Sequence, residues 1–179
     1  MKHAAVRRPG RPALVAALAG GMVLTGGVPA AHAEPVASAA PAKVEAKLGP
    51  FGYRGVEPGM SAREARATRK IVRTGGWRNC TEWDFKTGPH HRTGPDVLIS
   101  RRYGVAAVFA GEGVETPRGI GIGSTRRQLE RAYPNLSTAG SGYPVATVRK
   151  NPKVFYFFLL DGGRIYQMGL VLKRQDCAN

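Results

Sequence analysis

The clearest hydrophobic pattern lies late in the chain, where residues 154–160 read Val-Phe-Tyr-Phe-Phe-Leu-Leu. In an extended backbone Phe155, Phe157 and Leu159 share one face, and Tyr156, Phe158 and Leu160 share the other. A strand that is apolar on both faces is central and covered on both sides, or it exposes an aromatic surface for a partner. Asp161-Gly162-Gly163 follows, and glycine there supplies the positive φ that a hairpin turn requires before the next apolar run, Ile165–Lys173. Extended segments are also expected at Cys80–Phe85, Val97–Arg101, Val105–Ala110 and Tyr143–Arg149, with a tight turn near Tyr103-Gly104.

Two stretches carry helical spacing instead. The first starts at Ser61 and places Ala62, Ala65, Thr68 and Val72 on one stripe, ending before Gly75-Gly76, where a chain reversal is expected. The second starts at Thr125, carries Leu129, Ala132 and Tyr133, and is stopped by Pro134. Ser61 with Glu64, and Thr125 with Gln128, have the capping-box spacing, in which a hydroxyl and a carboxyl or amide exchange bonds with the helix-start amides.

The segments that enter these helices correspond. Gly55 and Gly59 recur as Gly119 and Gly123, both at an offset of 64 residues. Each copy leads through its glycines into a capped helix and then into extended segments. The expectation is an α+β domain of two tandem helix-plus-antiparallel-strand repeats, residues 48–114 and 115–179, with the helices on one face of the sheet.

The N-terminus changes the picture of where this domain works. Lys2, Arg7, Arg8 and Arg11 precede the small, apolar run Ala13–Val28, and Ala31-His32-Ala33 offers a small-x-small cleavage pattern. Residues 1–33 are therefore expected to be a signal peptide, residues 34–47 an Ala/Pro-rich flexible tether, and residues 48–179 a single soluble, secreted domain without a membrane span. The formal net charge is +15 from 27 basic and 12 acidic residues. Loss of residues 1–33 removes four basic residues and no acidic ones, leaving (27 − 4) − 12 = +11. Such a charge draws polyanions, and outside the cell these are teichoic acids, anionic lipid or acidic protein faces rather than nucleic acid. Cys80 and Cys177 are the only cysteines, and an even count in an oxidising compartment points to one disulfide.

Catalytic and metal-binding patterns are sparse. Past the signal peptide the histidines are His90 and His91, inside the Gly/Pro-rich loop Thr87–Asp96. Asp96 and Ser100 lie nearby, but no nucleophile-elbow pattern surrounds a serine, and two adjacent histidines without a third ligand at coordinating spacing do not describe a metal centre. No cofactor is implied. Gly119–Gly123 lacks the lysine of a phosphate loop and does not match the dinucleotide fingerprint. Arg126 and Arg127 stand in the first turn of the second helix, where cations oppose the macrodipole. With Ser124 they form a candidate anion site. Basic residues also cluster at Arg101-Arg102, at Arg149, Lys150 and Lys153, and at Lys173-Arg174. Trp77, Trp83 and Tyr103 are the aromatics best suited to anchor a partner.

Gly59-Met60-Ser61 opening a helix, followed by Cys80-Thr81-Glu82-Trp83, resembles the repeat of the secreted β-lactamase inhibitory proteins. It is similar, more distantly, to the outer-membrane lipoprotein domains of the SmpA/OmlA type. From Leu48 onward the chain also resembles a group of secreted proteins from actinobacteria. The second copy departs from the inhibitor pattern, with Ser124 in place of Met and no Cys-x-x-Trp. The resemblance implies a module that binds an enzyme on its sheet face, with Trp83 on that face. The expectation for function is a secreted, non-enzymatic module that engages a secreted or cell-envelope protein, with electrostatic binding to anionic envelope polymer as the alternative.

Overall fold

Ser61 and Thr125 both start helices in the computed structural model, which describes residues 47–178 apart from Arg92. The predicted signal peptide and all but the last residue of the predicted tether lie outside the described residues. In α1 (Ala62–Ala67) the Ser61 hydroxyl accepts from the Glu64 amide at 3.2 Å, and the Glu64 carboxylate accepts from the Ser61 amide at 2.8 Å. In α2 (Arg126–Ala132) Thr125 and Gln128 make the same exchange, at 3.2 and 2.7 Å. Both capping boxes are thus formed, and each satisfies helix-start donors that have no partner within the helix.

The helices are short because the chain leaves them for the sheet. Arg69 takes a left-handed φ of 58° directly after α1. The β-branched residues Ile71, Val72 and Thr74 then enter an edge strand, β1 (Ile71–Trp77), instead of extending the helix. Val72, expected on the helical stripe, pairs with Asp84, and Gly75-Gly76 sit inside the strand beside a bulge. The reversal occurs at Arg78-Asn79, where Arg78 has a φ of 46°.

The remaining strands are β2 (Cys80–Phe85), β3 (Val97–Ser100), β4 (Gly104–Phe109), β5 (Ser137–Thr138), β6 (Pro144–Thr147), β7 (Val154–Asp161) and β8 (Arg164–Leu172). They form one antiparallel sheet in the order β1-β2-β3-β4-β8-β7-β6-β5. The chain thus runs from one edge to the centre, crosses to the other edge, and returns to the centre. Ala107, Val108 and Phe109 of β4 pair with Val171, Leu170 and Gly169 of β8.

The α+β expectation of two tandem helix-plus-strand repeats is corrected by this architecture. The fold is sheet-dominated: eight strands hydrogen-bond into one continuous sheet, while the two helices span six and seven residues and bury only Ala65 and Leu129 respectively. One buried side chain per helix cannot make a layer comparable to the sheet. What does correspond is local. Gly59 donates to Val105 O at 2.8 Å and Val105 to Met60 O at 2.7 Å. Gly123 donates to Ile165 O at 2.7 Å and Ile165 to Ser124 O at 2.9 Å. Each glycine turn therefore docks its helix start onto one of the two central strands.

The main core lies between the sheet and these helices and loops. It gathers Leu48, Val56, Ala65 and Leu129 against Phe85, Ile99, Val105, Tyr156, Phe158, Met168 and Leu170 of the strands. A smaller cluster, Leu98, Ala106, Ala107, Phe109 and Val171, occupies the opposite face and is covered by Cys177 and Ala178. The covering segment is fixed by the Cys80–Cys177 disulfide, with Cα atoms 5.7 Å apart, as expected from the cysteine count.

Candidate functional site

Two faces of one sheet are treated differently, and the difference defines a surface. The helix-bearing face is buried across most of the strands. On the other face Cys177 and Ala178 of the C-terminal segment pack on residues of β8, β4 and β3, and the β6–β7 side is less fully covered. There Phe155 and Phe157 are half-buried, and Tyr143 meets Phe157 edge-on with ring centroids 5.7 Å apart. Val145 pairs with Phe157 across the strands. Of the two outcomes open to a strand that is apolar on both faces, cover on both sides or an aromatic surface, this side of β7 shows partly buried aromatics.

A groove of about 470 Å³ runs along it. Its floor is Phe109, Val145, Phe155, Phe157 and Val171. One wall is the β5–β6 turn at Ala139, Gly140 and Ser141, and the other is the C-terminal segment at Lys173, Gln175 and Ala178. The floor owes its shape to Gly169. A Cβ at that position would come within 2.8 Å of the Phe109 ring and 3.0 Å of Val108 O, so the ring occupies the space a β8 side chain would take. The C-terminal wall is held by Gln175, whose side-chain oxygen accepts from the Cys177 and Ala178 amides at 2.6 and 2.7 Å.

The sequence-predicted anchors separate onto different surfaces. Trp83 shares its parity with Phe85, packs against the main core on the helix side, and donates from Nε1 to Thr81 Oγ1 at 2.8 Å. Trp77 has the opposite parity, pairs with Cys80, and is 43% exposed. Tyr103 sits in the β3–β4 turn, with the Arg102 and Arg174 guanidinium carbons 5.1 and 5.8 Å from its ring centre. The structure therefore does not assemble Trp83, Trp77 and Tyr103 into one patch.

Ser124, Arg126 and Arg127 are adjacent, but their groups are largely engaged within the protein. Ser124 Oγ accepts from Gly121 at 3.1 Å, and the Arg126 amide donates to Gly163 O at 2.9 Å. The Arg126 side chain pairs with Glu130 at 2.8 Å, the i,i+4 partner its position favours. Arg127 is exposed.

Around the histidine loop, Asp96 is buried at 1% exposure and accepts from the Phe85 amide at 2.9 Å and the His91 amide at 2.6 Å. His90 Nδ1 lies 2.8 Å from the same carboxylate. Ser100 Oγ accepts instead from the Arg102 and Tyr103 amides, both at 3.0 Å, and so shapes the β3–β4 turn. His91 is 6% exposed and stacks on Phe109 at 5.2 Å. Burial pushes its pKa below the ordinary value, against smaller opposing effects from the Gly94 backbone, Asp96 and Asp84. This arrangement pins the loop against the sheet. Among the described residues the one His/Cys/Asp/Glu grouping with ligand-atom spacing is Cys80, Asp176 and Cys177, and both of its sulfurs are committed to the disulfide.

No described helix is long and apolar enough to cross a membrane. Comparison with protein-family models, with curated proteins and with solved structures finds no match to this chain.

Proposed function

We propose that this chain is a secreted, non-enzymatic binding module that takes a protein partner across the less covered face of its sheet. The observation that carries the reading is the aromatic groove over β6, β7 and β8, floored by Phe155 and Phe157 and walled by a disulfide-fixed segment. Half-buried aromatics beside rigid walls are the usual makings of a protein-binding hot spot. The disulfide fits an oxidising compartment, and the basic balance of the chain favours a partner with an acidic rim around its apolar contact. Phe157, Tyr143 and Phe155 serve as anchors in this reading, while Trp83 supports the sheet from the helix side. An enzyme target, as the inhibitor resemblance implies, is one form this partner takes.

The test is affinity capture with the purified domain from culture supernatant and cell-envelope fractions, followed by Phe157→Ser and Trp83→Ala. The reading expects a discrete protein retained at high salt, lost with Phe157→Ser and kept with Trp83→Ala. Equal retention by both variants would refute it.

A second reading has its own observation. The Arg101 amide donates to Asn79 O at 2.8 Å, which brings Arg78, Arg101, Arg102 and Arg174 to one end of the sheet around Tyr103. Such an arginine-rich end favours anionic envelope polymer, and binding there would fall steeply with added salt.

A further inference from the structure

A second concavity lies on the opposite side of the molecule, where the end of α2 meets the turn after β6. It encloses about 480 Å³. Its apolar walls include Pro50, Pro117, Tyr133, Pro134, Val148 and Tyr156, and its cations are Arg118, Arg149 and Lys150; no carboxylate lines it. From this geometry we infer a binding site for a small organic anion, one that carries a phosphate or carboxylate group on a flat or aliphatic body.

The cleft is built rather than incidental. Arg118 donates to Ala132 O and places its guanidinium carbon 5.3 Å from the centre of the Tyr133 ring. One guanidinium thus offsets the carbonyl end of α2 and is held at the rim, and it keeps N–H donors beyond the one that reaches Ala132. Tyr133 and Tyr156 meet at 6.0 Å and back this wall, and the Tyr156 hydroxyl donates to Leu48 O at 3.0 Å. Across the cleft, Asn151 Nδ2 donates to Pro50 O at 3.1 Å, and the Asn151 amide to Val148 O at 3.0 Å. These bonds fix the turn that presents Arg149 and Lys150.

Among the described residues no acidic side chain is paired with Arg149 or Lys150. Arg118, Arg149 and Lys150 are exposed along the edge of one concavity with no carboxylate in its lining, so the local potential is positive and favours an anion there. Prolines and tyrosines beside them supply rigid apolar walls, the composition expected of a pocket that orients a ligand by one charged group. This reading is independent of the open sheet face, which lies on the other side.

The test is calorimetric titration of the purified domain, in a phosphate-free buffer, with phenyl phosphate, benzoate, inorganic phosphate and benzyl alcohol. The inference expects saturable binding of phenyl phosphate or benzoate, about tenfold or more tighter than inorganic phosphate and absent for benzyl alcohol. The tighter of the two aryl anions identifies the head group. Arg149→Gln with Lys150→Gln should weaken that binding by at least about tenfold, whereas Arg63→Gln with Arg66→Gln on α1, which removes the same charge elsewhere, should change it less than about twofold. Absence of saturation by about 10 mM, equal losses in both double variants, or inorganic phosphate binding as tightly as phenyl phosphate would each overturn the site.

Discussion

Removing the Cys80–Cys177 bond should have a large and calculable effect on stability. The two residues are 97 apart in sequence, so the bond closes a long loop in the unfolded chain. Loop-closure entropy for that length is about 16 cal/mol/K, or about 4.7 kcal/mol at room temperature. For a domain of about 130 residues the entropy of unfolding is about 270 cal/mol/K, so the midpoint should drop by about 17 °C. Alanine is the better replacement at both positions, because Cys80 is only 4% exposed and a serine hydroxyl there would add its own desolvation cost. A second consequence is local. Cys177 and Ala178 cover Leu98, Ala107 and Phe109, so the double alanine variant should expose that apolar patch and bind a hydrophobic dye while still folded. Calorimetric melting of the oxidised protein and of Cys80→Ala with Cys177→Ala at matched pH reads the first effect. A drop below about 5 °C would refute the loop-closure argument and place the bond's contribution elsewhere.

Other perturbations act on single contacts. Ser61→Ala and Thr125→Ala each remove one half of a formed capping box and should cost about 1 kcal/mol apiece by denaturant melts. Phe158→Ala empties a fully buried position in the main core and should cost about 3–5 kcal/mol in the same assay. Gly104→Ala should destabilise by more than about 1 kcal/mol, because φ is +73° and a Cβ would sit 2.2 Å from Met60 O; Gly59→Ala, with a similar φ but open space, should cost less. His91 has a folded-state pKa below its unfolded value of about 6.5, so between the two the unfolded chain binds more protons. Stability should therefore fall as pH drops below about 6.5, by at most about 1.4 kcal/mol per pH unit from this group, and His91→Phe should flatten that slope in pH-dependent melts.

The parts of the fold legible in the sequence are those with strong local chemistry. Both helix starts could be read because Ser61–Glu64 and Thr125–Gln128 write their caps in side chains. The β7–β8 hairpin could be read because Asp161-Gly162-Gly163 interrupts two apolar runs. The helix end after Thr68 could not, since Val72 fits a helical stripe as well as a strand, and only pairing with β2 decides between them. That misreading lengthened the first helix, hid β1, and led to the α+β expectation. The Trp83 side could not be read either. Its parity follows from Phe85, but which face of β2 the helices cover is set by distant segments. The groove was half legible: the two-faced run at 154–160 left either cover on both sides or an aromatic surface, and did not decide between them. Its walls come from the β5–β6 turn and from a C-terminal segment carried there by a disulfide, which no local pattern reports.

The central claim is that the less covered sheet face is where a partner binds. Its most direct test places a photocrosslinking phenylalanine derivative at Ser141 or Lys173, one on each wall of the groove, and at Arg127 on the helix side as the comparator. Each purified protein is irradiated in culture supernatant and cell-envelope fractions, and adducts are identified by mass. The account predicts the same protein adduct from Ser141 and Lys173 and none from Arg127. Adducts at Arg127 equal to those at the groove, or confined to Arg127, would contradict it.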